Sequence, residues 1–309
     1  MAGRAVGARL ASRLASRLGR RPSRRLWSWL TALALLPAAA GLPAAADTGA
    51  LDRIRAAGTI TIAYDPNAYP ISFKDADGAP RGYSVDLCRR IVAGVQGALE
   101  LDALEVAWIE GNTPRRVAAV ANGEADLECG TTTMTLARQR QVDFANVVFV
   151  ESGGILTKSD SGIRALADLG GKTLGVIPET TTERRLRPVL EERLINAALK
   201  PIRDARDGRE RLEAGELDAV AGDRLVLIGQ VAEAGNPRDF AILDADFSVE
   251  PYAFAVPRDD ADFRLVVNTA LAQIYRTGEV DRIFERWFGE DSEPTALLET
   301  VYFIYGLAD

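Results

Sequence analysis

Between Asn122 and Phe144 the chain reads NGEADLECGTTTMTLARQRQVDF, which places three kinds of anion-holding group close together. Asp126–Cys129 has the pattern of a short strand. Thr131, Thr132 and Thr133 form a hydroxyl-rich turn, and Arg138 follows in a predicted helix with Thr133 as its N-cap. Hydroxyls, free helix-start N–H groups and a guanidinium on one spot suit a carboxylate or phosphate. A second hydroxyl turn, Thr180-Thr181-Thr182, follows the strand-like Lys172–Ile177. Asp223 comes just after the apolar run Leu217–Ala221, and it is either the N-cap of a helix from Arg224 or the counter-charge for an ammonium. Asp65 and Tyr69 lie in the loop leaving the first strand, where a ligand side chain would be met; Asp65-Pro66 is also a turn starter. Arg116 sits on a helix and is expected to face solvent. One Arg, one Asp and several hydroxyls describe a receptor for a zwitterion better than an active site. The sequence carries no activated nucleophile, metal cluster or phosphate loop, so no catalytic residue, metal ligand or cofactor is expected.

Composition narrows the classes further. Arginines recur from Arg4 to Arg25, followed by the apolar run Trp27–Ala40 and the small-residue site Ala44-Ala45-Ala46, so residues 1–46 read as a cleaved signal peptide. Without that leader the chain carries 29 Lys+Arg against 44 Asp+Glu, a formal charge of −15. Such an acidic protein is a poor partner for nucleic acid or anionic membrane. No histidine occurs among the 309 residues, which removes His-based triads, His-ligated metals and His general acid–base chemistry. Cys88 and Cys129 are too few for a four-ligand zinc site; after export they either pair or remain buried thiols.

The elements that must position these groups alternate. Thr59–Tyr64 and Leu104–Ile109 read as strands, Ser84–Val95 and Thr113–Asn122 as helices, the last ended by Gly123. The pattern then restarts with Lys172–Ile177, a mostly helical Glu183–Leu199 and the strand Leu217–Ala221. NGEADLECG at 122–130 is echoed by AGELDAVAGD at 214–223. Val147–Lys158, broken by Gly153-Gly154, and Phe247–Val256 are long extended stretches. If both cross between two α/β units, the helices Asp262–Thr277 and Val280–Phe288 complete the first unit, and two crossings make a hinge.

Several motifs occur together: Gly82-Tyr83-Ser84-Val85-Asp86-Leu87, Gly123-Glu124-Ala125-Asp126, Thr131–Arg138 with Val142-Asp143-Phe144, Glu179–Glu183, and Arg282–Phe288. In these the chain resembles the periplasmic solute-binding proteins of polar amino-acid ABC transporters (family 3 type), nearest to the glutamate/aspartate-binding branch. The resemblance implies an α/β, two-lobed periplasmic-binding-protein fold (type II), each lobe a mainly parallel sheet flanked by helices. Lobe 1 would comprise residues 51–150 and 248–309, lobe 2 residues 151–247. It implies a monomeric, non-enzymatic periplasmic receptor that closes on a free amino acid and serves an ABC permease in the inner membrane. Carried over by position, Arg138 grips the α-carboxylate, assisted by Thr133 and Thr181, with Thr182 in the same turn. Asp223 takes the α-ammonium with help from Thr131, and Arg116 becomes a pocket arginine.

The chain also departs from that branch. Asp65 and Ala205 stand where the branch has an Arg and a His for the ligand's side-chain carboxylate, and Glu179 replaces a Gly. Acidic, neutral polar and basic amino acids therefore all remain open as ligands. Two alternatives share the fold: a cyclohexadienyl-dehydratase-like enzyme using Glu179 or Glu151 as its acid, and an accessory or sensor module.

Overall fold

Helix α1 (Ala50–Ala57) stops at Gly58, whose φ of 63° turns the chain directly into β1 (Thr59–Tyr64). The structure, a computed structural model, describes residues 49–243 and 247–307, and the predicted signal peptide lies outside them. After β1, a small antiparallel meander of β2 (Asn67–Ala68), β3 (Ser72–Lys74) and β4 (Pro80–Arg81) leads into α2 (Tyr83–Ala98). Strand β5 (Glu105–Glu110), helix α3 (Thr113–Ala121) and strand β6 (Leu127–Glu128) follow. The Asn112 side chain caps α3 by accepting the Arg115 N–H, with Pro114 in the first turn where no N–H is missed. The first sheet is parallel throughout, in the order β5-β1-β6.

The second sheet is mixed rather than mainly parallel. Strand β7 runs unbroken over Asp143–Lys158, through the two glycines expected to interrupt it. Its first part, to Ser152, pairs antiparallel with β12 (Val249–Val256). Its second part, from Gly153, pairs antiparallel with β10 (Ala219–Asp223) and then β11 (Phe240–Ile242). One strand thus belongs to two sets of partners. Gly153 stands at the change, and a Cβ there would come within 2.5 Å of the Phe247 ring. Strands β8 (Thr173–Val176) and β9 (Ala198–Pro201) extend this sheet in parallel from β10.

Helices α4 (Thr181–Glu192), α5 (Ala205–Glu213) and α6 (Arg224–Ala232) belong to this half of the chain. The predicted helix to Leu199 ends early. Leu194 takes a left-handed φ of 55°, and Ala198 begins β9, whose hydrogen bonds to β8 outweigh further helix. Helices α7 (Ala261–Arg276), α8 (Glu279–Phe288) and α9 (Ala296–Tyr305) close the chain; α9 was not anticipated. Tyr83, Phe254, Phe263 and Ile62 lie in one apolar core with α7, α8 and α9. Ile155, Leu174, Leu186 and Ala221 form another around the second sheet. Among the described residues no helix is long and apolar enough to cross a membrane.

The echo of the two GE-x-D segments has a physical basis. Gly123 and Gly215 both adopt left-handed φ, 72° and 76°. The Asp126 carboxylate accepts the Thr61 N–H at 2.9 Å while its own N–H donates to the Thr61 carbonyl. Asp218 does the same to Thr173, accepting its N–H at 2.7 Å. Each aspartate pins the start of its strand to the neighbouring parallel strand.

Candidate ligand-binding cleft

The threonine turn after β6 is stitched to β12 by backbone. Ala253 N–H donates to the Thr132 carbonyl, and Met134 N–H to the Pro251 carbonyl. Thr133 therefore does not cap a helix. Thr135 Oγ1 instead accepts the Arg138 N–H at 3.2 Å, and Arg138–Arg140 is a single 3₁₀ turn rather than the predicted helix. The short turn directs the Arg138 side chain back over the threonines, where Nη1 donates to the Thr133 carbonyl at 2.7 Å. Arg138 is 6% exposed. Among the described residues no carboxylate lies within ion-pair distance of it. Burial, helped by the nearby Arg184, lowers its guanidinium to about 10. A buried guanidinium with no carboxylate in contact is a strong demand for an anion.

The other wall comes from β8, α4 and β10. Thr180 Oγ1 caps α4 by accepting the Glu183 N–H. Thr181 and Thr182, the first two helical residues, have no intrahelical acceptor for their N–H groups. Asp223 occupies the residue before α6, yet its side chain makes no capping bond. Its carboxyl turns to the cleft, accepting from Tyr252 Oη at 2.6 Å and Thr182 Oγ1 at 3.4 Å. Burial pushes this carboxyl up to about 7, with Glu250 and Glu151 adding to the rise and Tyr252 and Arg138 opposing it.

The two walls enclose a cavity of about 50 Å³. Arg138, Thr131, Thr133, Thr181, Thr182, Asp223 and Asp65 all line it. The walls also touch each other directly: Thr133 Oγ1 meets Thr181 Oγ1 at 3.2 Å, and Asn67 Nδ2 donates to Asp204 at 3.2 Å.

Two expected site residues lie elsewhere. Arg116 is neither solvent-facing nor on the cavity wall; it is fully buried behind it. Its Nε bonds Glu128 at 2.6 Å, and Nη1 bonds Asp65 at 2.5 Å and the Gly111 carbonyl. Its Nη2 reaches Thr113, Thr131 and Thr132. Gly130 makes room for this guanidinium, since a Cβ there would sit 2.6 Å from it. Tyr69 is also off the wall, its ring set edge-on against Phe73 at 5.0 Å. Its carbonyl abuts Gly229 of α6 so closely that a Cβ there would lie at 1.9 Å.

The sequence reading missed Glu250 and Tyr252, two residues apart on β12 and hence on one face. Thr133 Oγ1 donates to Glu250 at 2.7 Å while Tyr252 holds Asp223, so this strand braces both walls. A glutamate within the apolar strand VEPYAFAV was the available signal. Cys88 on α2 and Cys129 after β6 are joined as a disulfide with Cα atoms 6.3 Å apart, which ties α2 to the approach to the threonine turn. Glu179 and Glu151, the acids of the enzyme alternative, do not line the cavity. Glu151 instead accepts the Leu225 and Ser152 N–H groups. Among the described residues no group of His, Cys, Asp or Glu is arranged to hold a metal.

Comparison with known proteins agrees with this architecture. The chain is 33% identical over 271 residues to the L-glutamate/L-aspartate-binding protein of Pseudomonas aeruginosa, covering 87% of this chain and 90% of that one. A solved structure of an ancestral arginine-binding protein bound to arginine superposes with a TM-score of 0.67 at 28% identity, over 75% of this chain and 99% of that one. The ancestral amino-acid-binding protein AncCDT-1, a precursor of cyclohexadienyl dehydratase, shares the fold with a TM-score of 0.65 at 24% identity, over 78% and 100% of the two chains. The profile of the bacterial extracellular solute-binding proteins, family 3, matches residues 60–290. With its two-lobed α/β architecture and a cleft at the carboxyl ends of its strands, the chain belongs to that family.

Proposed function

We propose that this protein is an exported receptor that captures a free amino acid in the cleft and delivers it unchanged to an ABC permease. The observation that carries the reading is Arg138, buried and without a carboxylate partner, sharing one small cavity with Asp223 and the start of α4. The ligand α-carboxylate would complete the guanidinium and take the free N–H groups of Thr181 and Thr182, bonds of roughly 1.5–3 kcal/mol each when charge-assisted. The α-ammonium would neutralise Asp223 and relieve its burial. The names of the relatives, which bind glutamate, aspartate or arginine, support an amino acid as the ligand.

We assign lobe 1 to residues 51–150 with 248–309 and lobe 2 to residues 151–247, with β7 and β12 as the crossing strands. Closure then buries the ligand and presents the closed surface to the permease. Monomeric state and periplasmic location go with this reading. A thermal-shift screen of the common amino acids tests it. A true ligand at a hundred times its Kd adds ~2.7 kcal/mol of stability, and no stabilising amino acid would sink the proposal. Turnover of prephenate or arogenate would replace it with the enzyme reading.

A further inference from the structure

Once Arg138 and Asp223 are taken by the α-carboxylate and α-ammonium, the other end of the cleft decides which side chain fits. Its wall carries Asp65 and Asp204, with Asn67 between them: the Asn67 N–H donates to Asp65 at 3.0 Å and its Nδ2 to Asp204 at 3.2 Å. Behind the wall lie Arg116 and Glu128. Asp65 and Glu128 thus share the one Arg116 guanidinium, and Asp204, half-buried at the start of α5, adds a further carboxylate on the wall.

Arg116 is no receptor for a ligand carboxylate. Its five N–H donors are met inside the protein by Glu128, Asp65, Gly111 and three threonine hydroxyls, and it is fully buried. Burial also pushes the Asp65 carboxyl up despite Arg116, with Asp204 adding to the rise, so a nearby positive charge would relieve it. Val226 and Leu227 also line the cavity and offer apolar surface on which a methylene stem can lie.

We infer that the receptor selects a cationic amino acid, of the lysine, ornithine or arginine class, with its side-chain charge at Asp65 and Asp204, and excludes glutamate and aspartate. This rests on the amino-acid-receptor reading of the cleft. It separates this chain from the glutamate/aspartate-binding protein it resembles at 33% identity.

Calorimetric titration tests it, on protein stripped of ligand by unfolding and refolding, with L-arginine, L-lysine, L-glutamine and L-glutamate at neutral pH. Arginine or lysine should bind at least ~100-fold more tightly than glutamate, because reversing the side-chain charge reverses its Coulomb energy at close range. Glutamine or glutamate as the tightest ligand overturns the inference and leaves the amino-acid receptor standing. Binding of none of the common amino acids overturns the receptor reading itself. Asp204→Asn keeps a capping side chain for α5, whose Asp207 N–H the native residue accepts at 2.8 Å. It should weaken arginine about tenfold while leaving glutamine within about threefold. Equal losses for both ligands would mean that the acidic end does not read charge.

Discussion

Removing the Asp223 charge should stabilise the empty protein while destroying its function. The folded carboxyl stands at about 7 against an ordinary 3.8, roughly three decades of proton affinity, or ~4 kcal/mol if fully felt. A folded value above the unfolded one means that the native state holds its proton more tightly. The stability from that proton is complete below pH ~4 and is lost as pH rises through about 7. The carboxyl borders the open cleft, so water screens part of the effect, and ~1–2 kcal/mol is expected to disappear between pH 5 and pH 8. Asp223→Asn keeps the shape and cannot ionise. Its urea-unfolding free energy relative to wild type should therefore rise by ~1–2 kcal/mol between pH 5 and pH 8, which is ~2–8 °C in Tm for a chain of this size. A difference that stays constant, or that favours wild type at pH 8, would refute the burial argument. Ligand should reverse the effect. An α-ammonium beside Asp223 draws the carboxyl down, so binding at pH 6 should release a proton, read by calorimetry in buffers of different ionisation enthalpy. Binding without proton release would place the ammonium elsewhere.

Three further outcomes follow from the cleft and its supports. Arg138→Ala should weaken ligand binding by ~100-fold or more, with little change in Tm, since the side chain makes one hydrogen bond to the protein; affinity within about threefold of wild type would take Arg138 out of the site. Gly229→Ala should hold the lobes apart, because its Cβ would meet the Tyr69 carbonyl at 1.9 Å. Lower affinity with a larger radius of gyration by X-ray scattering is expected, and an unchanged closed form would show that the contact yields. Replacing Cys88 and Cys129 by Ala opens a cross-link spanning 41 residues, worth up to ~4 kcal/mol by loop entropy; an unchanged urea midpoint would show that the core alone holds α2 to β6.

Much of this protein is written locally, and the sequence determined those parts by itself. The caps at Asn112 and Thr180, the left-handed glycines 123 and 215, and the paired aspartates 126 and 218 act within a few residues or on the adjacent strand. The partners of the two aspartates, Thr61 and Thr173, lie 65 and 45 residues away, whereas the helix stops at the glycines and the echo of the two GE-x-D segments show in residue type and spacing alone. The same holds for the threonine turns, which follow their strands wherever the strands are placed. What tertiary structure decided was the direction of charged side chains. Arg116 looks like any helix arginine until Asp65 and Glu128, brought in from 51 residues before and 12 after, surround it. Asp223 had equal claims to cap α6 or face the cleft. Tyr252, delivered by the returning strand β12, settled its orientation. Tyr69 was drawn to Phe73 and Gly229 rather than to the cavity. Charge costs too much to bury uncompensated, so its position depends on partners assembled from distant segments, and no local window contains them.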